Sequence, residues 1–251
     1  MDTPPGHISR RIPVPPAFEE VFTHFYFAAN KSPHGISQTL LPSYQMIMVF
    51  NFGTPVSLIT QQKEEVSIDT CLVVGPIRKA FDYTLPPGAE MLVANFKGDA
   101  FYRCFGVACM EQAFSGHPDA LLHDNCFIEL WTRLSGLGNE ERVGHILDFC
   151  KPYIRERTVG RYGLSERALQ MNHKKQFGFS AKEIARYHRF LKAIGMIERF
   201  SSGASRVDWF EIIHECGYYD QSQLIHDFKH YLHLSPTKYL QFQQGICNPM
   251  P

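Results

Sequence analysis

The period of the hydrophobic pattern changes once along this chain, near Gly98, and that change constrains the fold more than any other feature. Before it, apolar residues gather in short β-type runs. VFTHFYFAA (21–29), SYQMIMVFNFG (43–53), VSLIT (56–60), DTCLVVGP (69–76), KAFDYTL (79–85) and AEMLVANFKG (89–98) are separated by Pro and Gly. Runs of this length and spacing predict an antiparallel sandwich or barrel. In the second run Met46, Met48, Phe50 and Phe52 share one face, and Ile47 and Val49 the other. Both faces are apolar, so this strand is expected to be covered on both sides. The first sixteen residues hold five prolines and two arginines and read as a loose arm.

After Gly98 the spacing becomes helical. Residues 99–107 read as a short helix. Phe127, Leu130, Trp131 and Leu134 mark a second, and Val143, Ile146, Leu147 and Cys150 a third. These are expected to pack on the sheet and lead into a helical region. The expectation is an α+β chain: an antiparallel β domain with packed helices over residues 1–150, then an all-α domain over 151–251. A chain of 251 residues is long enough for two such cores.

Charge follows the same division. Residues 151–251 carry 15 Lys and Arg against 9 Asp and Glu, whereas 1–150 carry 10 against 16. A basic half joined to an acidic one suits a polyanionic partner. No stretch approaches the roughly 18 apolar residues of a membrane span. The N-terminal MDTPPGHISRR has no secretory apolar segment. The seven cysteines include no CxxC pair, which points to reduced thiols in a cytoplasmic protein and against a disulfide or zinc framework.

Helix signals in the basic half are closely ordered. Asp208 with Glu211 three residues on forms a capping box, and Gly217 suits a left-handed helix end. Asp220 caps the next helix, QSQLIHDFKHYL, with Gln223 at the matching position and Leu224, Phe228 and Leu232 every four residues. Ser235-Pro236 opens a last helix with proline at the first position. Helix, short turn with Gly, helix is the helix-turn-helix unit. Gln221, Ser222, Gln223, His226 and Lys229 form its polar face: Gln can pair with adenine, Ser and His can donate to guanine or phosphate, and Lys suits phosphate. A similar unit lies upstream, where Ser165 can cap a helix carrying Arg167, Gln170, Met171 and Lys174 as its exposed face. Ser180 with Glu183 opens a long helix to about Ile197, which could hold the two reading helices on successive major grooves.

These residues resemble the AraC/XylS family of transcription regulators. The similarity is carried by ECGYYDQSQLIHDFKHYLHLSPTKYL (215–240), through Gly217, Tyr218, Asp220, Gln221, Ser222, Phe228, Lys229, Ser235-Pro236 and Tyr239, and more loosely by 163–194. The resemblance implies two helix-turn-helix units and sequence-specific promoter binding. Base- and phosphate-contacting positions fall on Arg167, Gln170 and Met171 in the first unit, and on Gln221, Ser222, Gln223, His226 and Lys229 in the second. Three residues depart from the family pattern. Ile213 replaces a small Ala facing the second helix, so that pair is expected to be splayed or repacked. Trp209 stands at an aliphatic position and His173 at a core Phe. The N-terminal half resembles a cupin-like sensor domain, which implies a small-molecule effector or homodimerisation.

Motifs for chemistry are sparse. The histidines of the N-terminal half never form HxH, so no metal site or cofactor is expected there. There is no Walker loop, no GxGxxG and no nucleophile elbow, so no catalytic residue is assigned. His226, His230 and His233 share a helix face but lack a completing ligand. Phe18, Phe22, Phe25, Tyr26 and Phe27 read as core in preference to a ligand pocket. The expected function is a DNA-binding transcription regulator whose partner is double-stranded promoter DNA. The alternative is a cupin-like ligand-binding or metal-dependent catalytic protein whose helical domain no longer binds DNA specifically.

Overall fold

The computed structural model describes residues 6–59, 65–106, 117–122, 126–154, 174, 178–202, 207–241 and 246–247. Two five-stranded sheets face each other. The first has the order β1 (His7–Ile12), β2 (Phe22–Asn30), β9 (Glu90–Phe96), β4 (Ile47–Asn51) and β7 (Cys71–Val74). The second has the order β10 (Ile246–Cys247), β3 (Ile36–Leu40), β8 (Phe81–Leu85), β5 (Val56–Ile59) and β6 (Glu65–Ile68). Neighbours pair antiparallel, except that β10 runs parallel to β3.

The expected loose arm is in part a strand, which corrects the sequence reading. β1 pairs with β2 from His7 opposite Asn30 to Ile12 opposite Phe25. Arg10 and Arg11 are compatible with this because an edge strand tolerates charge on its open side. The prolines at 13, 15 and 16 end the strand without dissolving it.

β4 is covered on both sides, as its pattern requires. Ile47 and Val49 point between the sheets, beside Leu58, Phe81 and Val93. Met46, Met48 and Phe50 point the other way, into a second layer formed by α1 (Ala100–Phe105), α3 (Cys126–Leu134) and α4 (Asn139–Cys150). A short α2 (Pro118–Leu122) leads into α3. Phe18, Phe22, Phe25 and Phe27 are buried in this helix-covered layer. Two polar contacts pin the layer to the sheet. Trp131 donates its indole N–H to the Asn51 carbonyl at 2.6 Å. Arg142, 5% exposed, pairs with Glu90 at 2.6 Å and lies 3.7 Å from the Phe52 ring centroid. The outer face of the second sheet is polar, with Thr39 donating to Asp82 at 2.6 Å.

The helical half has its own core, built from α5 (Ala181–Ser202), α6 (Trp209–Cys216), α7 (Gln221–Leu232) and α8 (Pro236–Gln241). Ser180 and Glu183 form the expected capping box at α5: Ser180 N donates to Glu183 Oε2 at 2.8 Å and Glu183 N to Ser180 Oγ at 3.2 Å. Phe190 of α5 meets Phe228 and Tyr231 of α7 with ring centroids 5.1 and 4.5 Å apart.

That core extends onto the β half. Leu41, Tyr44 and Ala80 of two adjacent loops belong to the same buried cluster as Phe179, Tyr187 and Tyr231. Backbone bonds join the loops: Ser43 N and Tyr44 N donate to Ile77 O at 3.0 and 2.9 Å, and Ile77 N donates to Gln45 O at 3.1 Å. Gly75 permits this approach. Its φ is +126°, and a Cβ there would lie 2.6 Å from Gln45 O. Across the interface Tyr187 donates to Pro42 O at 2.6 Å, and Arg78 donates to Gly178 O. Ala80 N donates at 2.7 Å to Tyr231 O, a carbonyl in the last turn of α7, where the helix itself supplies no partner.

Candidate nucleic-acid interface

α6 and α7 form the second helix-turn-helix unit. Asp208 starts α6 by accepting from Phe210 N and Glu211 N at 2.9 and 3.2 Å, and Gly217 ends it at φ +75°. Three residues later Asp220 starts α7, accepting from Gln223 N at 2.7 Å. Each acidic cap also favours the positive end of its helix dipole. Ile213 is half-buried against the helical core, and its carbonyl accepts from Tyr218 N at 2.9 Å. The larger side chain is therefore repacked within a unit whose two helices remain in contact.

Helical geometry sorts the polar residues of α7. Leu224, Asp227, Phe228 and Tyr231 are buried. On the opposite side Ser222, His226 and Lys229, spaced i, i+4 and i+7, form one exposed line. Gln221 is exposed at the N-terminus of the helix. Gln223 is half-buried, and its Oε1 accepts from Tyr219 N at 2.9 Å. Its carbonyl is thus engaged by the turn, whereas Gln221 is exposed at the helix start. In the upstream unit Lys174 is helical and exposed, whereas Arg167, Gln170 and Met171 lie outside the described residues, as does His173.

Three residues of the interface carry no signal in the periodicity of the chain. Asp227, 2% exposed, lies on the apolar side of α7 and is held by two arginines of α5. Arg186 Nε donates to Asp227 Oδ1 at 2.6 Å, and Arg189 Nη2 to Oδ2 at 3.1 Å. Arg189 also lies 4.6 Å from the Tyr218 ring centroid, so one carboxylate ties α5, α7 and the turn together. Arg186 reaches on to the exposed line, with Nη2 3.1 Å from His226 Nδ1. An Asp in register with Leu224 and Phe228 was the only hint, and its partners lie about forty residues upstream. Tyr219, 92% exposed in the turn, extends the surface beside the start of α7.

The β half offers a different feature. A cavity of about 50 Å³ lies between the sheets, lined mainly by Val49, Leu58, Phe81, Met91 and Val93. Arg11, His24, Ser43 and Asn95 also line it. His24 lies opposite Asn95, and Asn95 opposite Ile47, which puts these groups toward one end of the strands. Burial, aided by Arg11, lowers His24 to about 4, so its ring is neutral at pH 7. Among the described residues no group of three or more His, Cys, Asp or Glu is placed to hold a metal. Cys71 Sγ lies 3.1 Å from His117 Nε2, but burial pushes the thiol up to about 12, which disfavours a thiolate at neutral pH.

Comparison with known proteins agrees with the division of the chain into two kinds of structure. A family described as "Helix-turn-helix domain" matches residues 159–241, and one described as "Domain of unknown function (DUF6597)" matches residues 10–114. No curated protein matches the chain in sequence. Among solved structures, ToxT from Vibrio cholerae overlaps 94% of this chain and 98% of its own at 12% identity, with a TM-score of 0.38. ToxT from Vibrio cholerae O395, bound to (E)-4-(8-methylnaphthalen-1-yl)but-3-enoic acid, overlaps 95% and 100% at 12% identity and 0.39. A cupin domain of an XRE family transcriptional regulator from Enterobacter cloacae overlaps 36% of this chain and 95% of its own at 7% identity and 0.28. These overlaps are weak; what defines the helical half is its capped helices and the match over 159–241. Residues 159–241 thus match a helix-turn-helix domain family, and α6 and α7 form one such unit within them.

Proposed function

We propose that this protein is a sequence-specific DNA-binding transcription regulator, with residues 151–251 as the DNA-binding domain and 1–150 as a sensor or dimerisation domain. The observation that carries the reading is the exposed line on α7, opposite its buried side and next to a capped N-terminus. α7 enters the major groove N-terminus first. Gln221 and Ser222 reach base edges, His226 follows one turn on, and Lys229 neutralises a phosphate. The upstream helix expected from the sequence, with Arg167, Gln170, Met171 and Lys174, serves the adjacent groove. The Gln221→Ala variant is expected to lose about 1–3 kcal/mol of discrimination between operator and scrambled duplex. Lys229→Ala should instead weaken both duplexes alike and reduce the salt slope by about one unit. Unchanged discrimination in Gln221→Ala, measured by fluorescence anisotropy, removes α7 as the reading helix.

The cavity and the two joined loops support control by an effector. Leu40, Ser43 and Phe81 line the cavity, while their neighbours Leu41, Tyr44 and Ala80 pack into the helical core. A cavity of about 50 Å³ is far smaller than the roughly 150 Å³ that holds a benzene ring. A ligand of any size must therefore displace the cavity wall. Movement of that wall shifts Tyr44 and Ala80, and with them α5 and the end of α7. The lining suits an apolar molecule with one hydrogen-bonding or anionic end. The same loops would transmit a dimer contact made elsewhere on the β half.

A further inference from the structure

We infer that Arg186 is a positioning residue for base reading: it fixes the His226 ring so that Nε2–H is the one donor the ring offers to DNA. The inference rests on α7 being the reading helix. Arginine donates hydrogen bonds and accepts none. Its Nη2, 3.1 Å from His226 Nδ1, therefore requires a lone pair on Nδ1. The neutral ring then carries its single proton on Nε2, and its rotation is fixed by the same contact.

The guanidinium that does this is itself held. Its Nε is bonded at 2.6 Å to Asp227, whose side chain is 2% exposed. It also lies 5.6 Å from the Tyr231 ring centroid. A buried carboxylate thus fixes an arginine, the arginine fixes a histidine, and the histidine faces outward between Ser222 and Lys229. A single fixed N–H matches an acceptor in the major groove, such as N7 or O6 of guanine, and is mismatched with the N4 amino group of cytosine. An untethered histidine could turn its ring and change tautomer, and would discriminate less. Arg186 is not needed to neutralise Asp227, because Arg189 donates to the other carboxylate oxygen at 3.1 Å.

The test uses a duplex that the wild-type full-length protein selects from a random-sequence pool. Binding is measured to that duplex, to a scrambled one and to each single base-pair change, for wild type, Arg186→Met, His226→Ala and the double variant. Arg186→Met should lose about tenfold in discrimination at one base-pair position, the position also lost in His226→Ala. The double variant should be no worse there than His226→Ala alone. Arg186→Lys guards against misfolding: it keeps a cation for Asp227 but cannot bridge to His226, so it should show the same position-specific loss. The inference is overturned if Arg186→Met and Arg186→Lys weaken selected and scrambled duplexes by one common factor. It is also overturned if the Arg186 and His226 losses multiply. A pool in which wild type enriches no sequence overturns the reading of α7, and this inference with it.

Discussion

Asp227→Ala is expected to destabilise the helical half by about 3 kcal/mol, at the lower end of the range for removing one partner of a buried ion pair. The carboxylate is 2% exposed and holds two guanidiniums of α5. Without it Arg186 and Arg189 are left as like charges beside an apolar core. Their side chains are 31% and 24% exposed, so both can turn partly toward water, which keeps the cost from the top of the range. Asp227→Asn should fall between wild type and alanine, since an amide can still accept from one arginine. Urea unfolding followed by circular dichroism reads the difference; a loss under about 1 kcal/mol would show that the pair does not hold α7 against α5.

Tyr44→Ala should have a comparable effect, of a different kind. The ring packs 4.9 Å from Phe179 and 4.5 Å from Tyr187, at the centre of the contact between the halves. Removing a buried aromatic ring costs about 3–5 kcal/mol. Tyr44 already has φ +54°, which alanine tolerates no better, so no backbone relief offsets the loss. The cost falls where the helical core extends onto the β half, and leaves the two clusters of the β half itself intact. Thermal unfolding is therefore expected to separate into two transitions, the helical half first. A single transition at the wild-type temperature would mean that the two loops do not tie the halves together, and the route from cavity to α7 would fail with them.

Elements with a strong period were legible in the chain. β4 has apolar residues on both faces, and both faces are buried. The α6–α7 unit was readable from its caps, because Asp208, Gly217 and Asp220 act through local backbone geometry that spacing alone reveals. β3 and β6 were not, because ISQTL and EVSI present polar residues on an open sheet face and lack a clean apolar run. β1 was hidden by neighbouring prolines that end the strand. Site residues divide in the same way. The exposed face of α7 follows from periodicity, whereas the Asp227–Arg186–His226 chain depends on the crossing of two helices. Gln223 shows a limit of another sort: the spacing suits both a cap and a base reader, and the structure shows its carbonyl bonded to the turn.

The central claim is that α7 reads DNA sequence. Fluorescence anisotropy of the full-length protein, with the DNA upstream of its own coding sequence and a scrambled duplex of equal length at two salt concentrations, tests it most directly. The account predicts tighter binding to the upstream DNA, a preference lost in Gln221→Ala, and weakening of both complexes as salt rises. Equal affinity for the two duplexes at both salt concentrations, unchanged by Gln221→Ala, would contradict it.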